Sequence, residues 1–80
     1  MNLHLNYFGM IAEKTATTKE ILNAGNNPLS VEDLNKLLFN KYPALKEINY
    51  KIAVNQTLAD DSLLLNENDE IALLPPFAGG

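Results

Sequence analysis

The chain has 80 residues, 46% of them hydrophobic, with no cysteine and a net charge of −4 from ten acidic and six basic side chains. That length supports one modest core burying about 60% of the unfolded surface and leaves no room for a deep catalytic cleft. The acidic balance argues against a nucleic-acid partner, whose phosphates need clustered Lys and Arg, and the lack of cysteine removes disulfides, thiolate metal sites and a thiol nucleophile.

Composition does not change along the chain, so a single domain over 1–80 is expected, with 75–80 as an extended tail. The start, Met1 to Leu5, lacks the basic-then-apolar pattern of a signal peptide, and no apolar run approaches the ~20 residues that cross a bilayer. The expectation is a soluble cytoplasmic protein with no membrane partner and a neutral or basic partner surface.

Leu3, Leu5 and Tyr7 alternate with Asn2, His4 and Asn6, the period of a strand with one buried face. Phe8 follows, either as an exposed contact or as the start of a short helix from Gly9 to Lys14 that covers it. Threonines at 15, 17 and 18 and Ile21 lean towards extended backbone, predicting a second strand over Thr17 to Leu22 in a hairpin with the first. Residues 23–28 are a loop, dense in Asn, Gly and Pro.

Ser30 to Lys41 is a helix. Ser30 is a good N-cap, Ser30 and Asp33 approximate a capping box, and Glu32 and Asp33 sit where the helix dipole favours acids. Val31, Leu34, Leu37, Leu38 and either Tyr42 or the Lys41 stem form one apolar face. Leu37 is therefore expected in the core, where truncation to Ala costs about 2–5 kcal/mol. Pro43 stops the helix.

Lys51 to Asn55 alternates again with Ile52 and Val54 inward, and Asn55-Gln56 suits a tight turn before Thr57-Leu58. Asp60-Asp61 turns the chain, Leu63 to Leu65 is a short apolar piece, and Asn66 to Asp69 is a second turn in which Asn68 accepts a left-handed backbone. The last strand, Glu70 to Leu74, is apolar on both sides and should be central. The order β-β-α-β-β gives an α+β fold with one main helix on a mixed sheet, the last strand beside the first as in ubiquitin-like β-grasp folds.

Pro75-Pro76 ends that strand, because proline has no N–H for a ladder and pushes its predecessor to extended geometry. Phe77, Ala78, Gly79 and Gly80 then taper from an aromatic to two residues without side chains, a thin end suited to a narrow slot. Elsewhere, chemistry is scarce. His4 reads as a solvated or hydrogen-bonded residue, no zinc or phosphate motif is present, and the acidic pairs at 60–61 and in 67–70 read as solvated turn edges. What remains is a terminal carboxylate, ionised with a pKa of about 3.5 and inert unless a partner activates it.

Three segments carry a family resemblance: Ala53-Val54-Asn55-Gln56-Thr57-Leu58, the run from Leu65 through Asp69-Glu70-Ile71-Ala72, and the ending Pro75-Pro76-Phe77-Ala78-Gly79-Gly80. Together they resemble the MoaD family, the small sulfur-carrying subunit of molybdopterin synthase. The resemblance implies that Gly80 is adenylated and converted to a thiocarboxylate, with Gly79, Ala78, Phe77, Pro76 and Pro75 as the threaded tail. It further implies apolar partner contacts at Phe8, Leu58 and Phe77. The implied partners are a large subunit that binds the pterin precursor and supplies the catalytic lysines, in a heterotetramer, and an adenylating (E1-like) enzyme that uses ATP. The chain itself is expected to bind no cofactor or metal and not to be an enzyme alone. Alternatives are a carrier for thiamine synthesis or tRNA thiolation, a ubiquitin-like modifier, or an interaction domain with an inert ending.

Overall fold

The computed structural model describes residues 1–25 and 28–76. In chain order it contains β1 (Asn2–Tyr7), α1 (Met10–Thr15), β2 (Lys19–Asn23), α2 (Val31–Lys41), a 3-10 turn (Pro43–Glu47), β3 (Lys51–Val54), β4 (Thr57–Leu58) and β5 (Glu70–Leu74). The strands form one sheet in the order β2-β1-β5-β3-β4. β5 is central, parallel to β1 and antiparallel to β3. With α2 covering one face, this mixed sheet is the ubiquitin-like β-grasp arrangement expected from the element order.

Alternation sets the core. Leu3, Leu5 and Tyr7 on β1, Ile52 and Val54 on β3, and Ile71 and Leu73 on β5 face α2, whose Val31, Leu34 and Leu38 are buried against them. Only that face of β5 is fully covered. Ala72 and Leu74 point to the open side and are half-buried, so its apolar run reflects a central strand with one covered face and one shallow one.

The N-terminus of α2 is tied down on three sides. Ser30 and Asp33 form the full capping box, with Asp33 N–H donating to Ser30 Oγ at 3.1 Å and Ser30 N–H to Asp33 Oδ2 at 3.1 Å. The next orphan donors, Val31 and Glu32 N–H, bond to the carbonyls of Leu63 and Asp61, both at 3.0 Å. The 61–65 segment thus serves as a backbone cap for the helix. This gives the short apolar piece its role: Leu64 bridges to Ser30 and Leu65 is buried, while Leu63 and Leu64 stay exposed.

Three expectations are corrected. Leu37 is 38% exposed, because the buried stripe runs through Val31, Leu34 and Leu38 and leaves Leu37 on its flank. The second strand begins at Lys19, not at Thr17, because the threonine hydroxyls serve the turn: Thr15 Oγ1 donates to the Thr17 carbonyl at 2.9 Å and Thr17 Oγ1 to the Lys19 carbonyl at 2.9 Å. The short helix runs from Met10 to Thr15, closed by Ala16 in the left-handed region at φ 61°.

A polar cluster joins the sheet edge to the end of α2. Glu20 on β2 accepts from Tyr7 Oη, from Tyr42 Oη at 2.7 Å and from Lys41 Nζ at 2.5 Å. Burial alone would raise the Glu20 carboxyl, but the bonds from Lys41, Tyr7 and Tyr42 outweigh it and hold the pKa below its ordinary 4.5. A folded pKa below the unfolded one adds stability that is present above the unfolded value and lost as pH falls through the folded value. Glu20→Gln should therefore be less stable than the natural protein at neutral pH, with the gap closing in strong acid. Urea midpoints measured across that range check it, and a constant gap would show that the carboxylate charge contributes nothing. Leu38→Ala should cost about 2–5 kcal/mol by the same measurement and Leu37→Ala well under half of that.

Candidate functional site

The site begins where β5 ends. Register places Leu73 beside Tyr7 of β1 and Leu74 beside Lys51 of β3, so the chain leaves the sheet between the last residue of one strand and the first of another. Pro75 is half-buried and Pro76 exposed. Phe77, Ala78, Gly79 and Gly80 lie outside the described residues.

Gly9 sets the direction of the exit. It sits at φ 55°, ψ −131°, a combination open to glycine alone, and a β-carbon added there would lie 3.3 Å from Pro75 Cγ. The backbone of Gly9 is therefore a shelf on which Pro75 rests. No local pattern announces this contact, since Gly9 reads only as a strand end.

An apolar rim surrounds the exit. Phe8, 47% exposed, is adjacent on the β1 side, which settles its two readings in favour of exposure, and Met10 is exposed beyond it. On the other side a groove of about 730 Å³ is lined by Asn49, Tyr50, Lys51, Leu58, Leu74, Pro75 and Pro76. Leu58, 64% exposed, pairs with Ala53, which pairs with Ala72, so two alanines and a leucine make a low apolar strip across the open face. The structure thus brings Phe8, Leu58, Pro75 and Pro76 to one end of the molecule. Tyr50, unforeseen as a lining residue, is held by its hydroxyl donating to Asn35 Oδ1 at 2.6 Å, and burial pushes its pKa up to about 12.

His4 is elsewhere. It lies opposite Glu70, at the end of β5 away from the tail, with Nε2 3.4 Å from Asn68 Oδ1. Among the described residues no His, Cys, Asp or Glu group is arranged to hold a metal ion.

The residues that carry the family resemblance in the middle of the chain form a clamp at that far end. Asn55 and Gln56 both have positive φ, at 50° and 72°, making the tight β3-β4 turn. The Asn55 side chain donates to Asp69 Oδ1 at 2.9 Å and accepts from Glu70 N–H at 2.9 Å. Asp69 Oδ2 accepts from Asn66 N–H at 2.8 Å, and Asn68 takes the expected left-handed backbone at φ 65°. Asp69 is buried, which corrects its reading as a solvated turn edge: its carboxylate is the internal partner of two loops. The clamp fixes the start of β5, and β5 in turn fixes the exit.

A protein-family model described as the ThiS family matches residues 5–80. The chain is 33% identical to the molybdopterin synthase sulfur carrier subunit of Mycobacterium tuberculosis, over 100% of this chain and 99% of that one. Among solved structures, it is similar to the Helicobacter pylori complex of subunits 1 and 2 of molybdopterin-converting factor, with TM-score 0.71, 29% identity and full coverage of both chains. It is also similar to small archaeal modifier protein 1 of Methanosarcina acetivorans, with TM-score 0.82 and 25% identity over 99% of this chain and 96% of that one.

The clamp generates a test. Asn55→Ala removes two bonds and leaves Asp69 Oδ1 without its donor, so it should cost about 1–3 kcal/mol in urea unfolding although Asn55 itself is exposed. A cost within measurement error would show that water replaces the clamp.

Proposed function

The chain belongs to the ThiS family, and from that membership we propose that it is a sulfur carrier for molybdopterin synthesis, with Gly80 as the carrying residue. The observation that supports this reading most is the full-length likeness to a sulfur carrier subunit, in a chain whose central strand runs out over Gly9 into a tapering tail.

The chemistry follows from a carboxylate that cannot react unaided. An adenylating partner joins the Gly80 carboxylate oxygen to the α-phosphorus of ATP, releasing pyrophosphate. A sulfur donor then attacks the acyl carbon and AMP leaves, so that one carboxyl oxygen is replaced by sulfur. The resulting thiocarboxylate is a nucleophile that passes its sulfur to a pterin precursor held by a large subunit. ATP belongs to the activating partner, and the carrier holds no cofactor in this scheme.

Each part of the site has a place in it. Gly79 and Gly80 keep the tail thin enough for two different pockets, Ala78 adds only a methyl group, and Phe77 anchors the tail at its wide end. Pro75 and Pro76 limit the conformations that must be frozen when the tail is threaded. Phe8 and Leu58 flank the exit as apolar contacts for the large subunit, and the strip of Ala53 and Ala72 lets a partner approach the sheet closely.

A second reading, a modifier joined to lysines through an isopeptide bond, is favoured by the likeness to the archaeal modifier protein. The two differ in the fate of the activated carboxyl. Incubation with ATP, a sulfide donor and an adenylating enzyme, followed by intact mass measurement, should show an ATP-dependent exchange of oxygen for sulfur at Gly80. Attachment of the chain to other proteins without sulfur exchange would establish the modifier instead. Deleting Gly80 should abolish the exchange with the thermal midpoint unchanged. Leu58→Asp should weaken capture of a molybdopterin synthase large subunit by about tenfold or more while leaving stability intact, the scale of losing one apolar anchor.

A further inference from the structure

The seat of Pro75 on Gly9 joins a corner that is locked from two sides to a segment that is locked from one. Before Gly9, Tyr7 is buried, pairs with Leu73 of β5, and donates its N–H to the Thr18 carbonyl at 2.9 Å and its hydroxyl to Glu20. After Gly9, α1 begins: the carbonyls of Phe8 and Gly9 accept from Ile11 and Ala12 N–H, both at 3.1 Å. Ile11 is fully buried, which fixes that first turn to the core. The corner at Gly9 is therefore a post with no freedom to shift.

Pro75 is held less firmly. The last ladder pairs before it are Leu73 with Ile52 and Leu74 with Lys51, and its ring fixes only its own φ. A β-carbon 3.3 Å from Pro75 Cγ is closer than carbon atoms ordinarily pack, so with a side chain at position 9 it is Pro75 that gives way. The displacement grows along the chain. Residues 76–80 reach at most about 17 Å when extended, so a tilt of roughly 10° at Pro75 moves the terminal carboxylate by about 3 Å. At reacting atoms, a misplacement of about 1 Å is enough to cost a hundredfold in rate.

We propose that Gly9 is a positioning residue for the chemistry of the tail: acting through Pro75, it sets the point and angle at which the chain passes from the sheet into a partner's pocket. The proposal rests on Gly80 as the residue that is activated, and is indifferent to whether sulfur or a lysine then takes the acyl group. It assigns Gly9 a role beyond closing the β1-α1 corner, because a residue needed only for its positive φ has no reason to touch Pro75. It also divides the exit into two functions. Phe8 and Leu58 supply contact with the partner, and Gly9 with Pro75 supplies aim.

The test is steady-state kinetics of adenylation with the full chain as substrate, read as ATP-dependent release of pyrophosphate, a step that precedes any entry of sulfur. Pro75→Ala removes Cγ and leaves the corner intact, whereas Gly9→Ala adds the β-carbon. Each should lower kcat about tenfold or more while the KM for the chain stays within about twofold, since Phe8 and Leu58 remain in place. Both changes act through one contact, so the double variant should lose about as much as either alone. If Gly9→Ala does not fold, Pro75→Ala alone carries the same expected split between kcat and KM. Undiminished kcat in Pro75→Ala, losses that multiply in the double variant, or a KM that rises in step with a falling Tm would each overturn the positioning role. Failure of the natural chain to release pyrophosphate would instead overturn activation of Gly80, and this proposal with it.

Discussion

The double pairing of β5 is the constraint on which the rest of the structure depends. A strand that pairs with β1 on one side and β3 on the other is held on both edges from Ile71 to Leu73, and its Ile71 and Leu73 lie at the centre of the core. Once β5 is fixed, β1 must run parallel to it, α1 and β2 must follow on that side, and β3 and β4 must close the other. The helix then has one face of the sheet to cover, and the shallow face is left open. The exit at Pro75 and Pro76 needs no separate scaffold, because it continues directly from β5.

The two ends of β5 are held by different means, and the division of labour is chemical. At the start, polar groups do the holding: exposed Asn55 supplies a donor to buried Asp69, whose other oxygen takes a loop N–H, and for the buried carboxylate an unmade bond is costly. At the end, steric contact does it, with Pro75 seated on a glycine that has no side chain to interfere. The polar end is cross-linked by side-chain hydrogen bonds around buried Asp69, and the apolar end is open. This explains why a motif in the middle of the chain accompanies the tail in the resemblance, although the two lie at opposite ends of the sheet.

Much of this was legible in the residues. The capping box of α2, the inward phase of β1 and β3, the turn at Asn55-Gln56, the left-handed Asn68 and the central position of the last strand all follow from local chemistry or simple alternation, and all are observed. What escaped depended on tertiary partners. Leu37 fits the helical period as well as Leu38 does, and only the position of α2 over the sheet decides which of them is covered. Asp69 resembles any turn acid until Asn55 is brought to it, and Glu20 becomes a hub only because Tyr7, Lys41 and Tyr42, from two other elements, converge there. Gly9 was invisible for the same reason: its contact is with Pro75, at the other end of the chain.

The parallel pairing of β1 with β5 also bears on the order of events in folding. It joins segments near the two extremities of the chain, so its loop-closure entropy is among the largest in the molecule, whereas the β3-β4 hairpin and the capped helix form from local contacts. The ladder beside which Pro75 rests on Gly9 is thus among the most non-local contacts of the described residues, and a partly folded or truncated chain lacks it early. The seat of Pro75 on Gly9 is in that sense a certificate of complete folding, because it exists only in chains whose first and last strands have met.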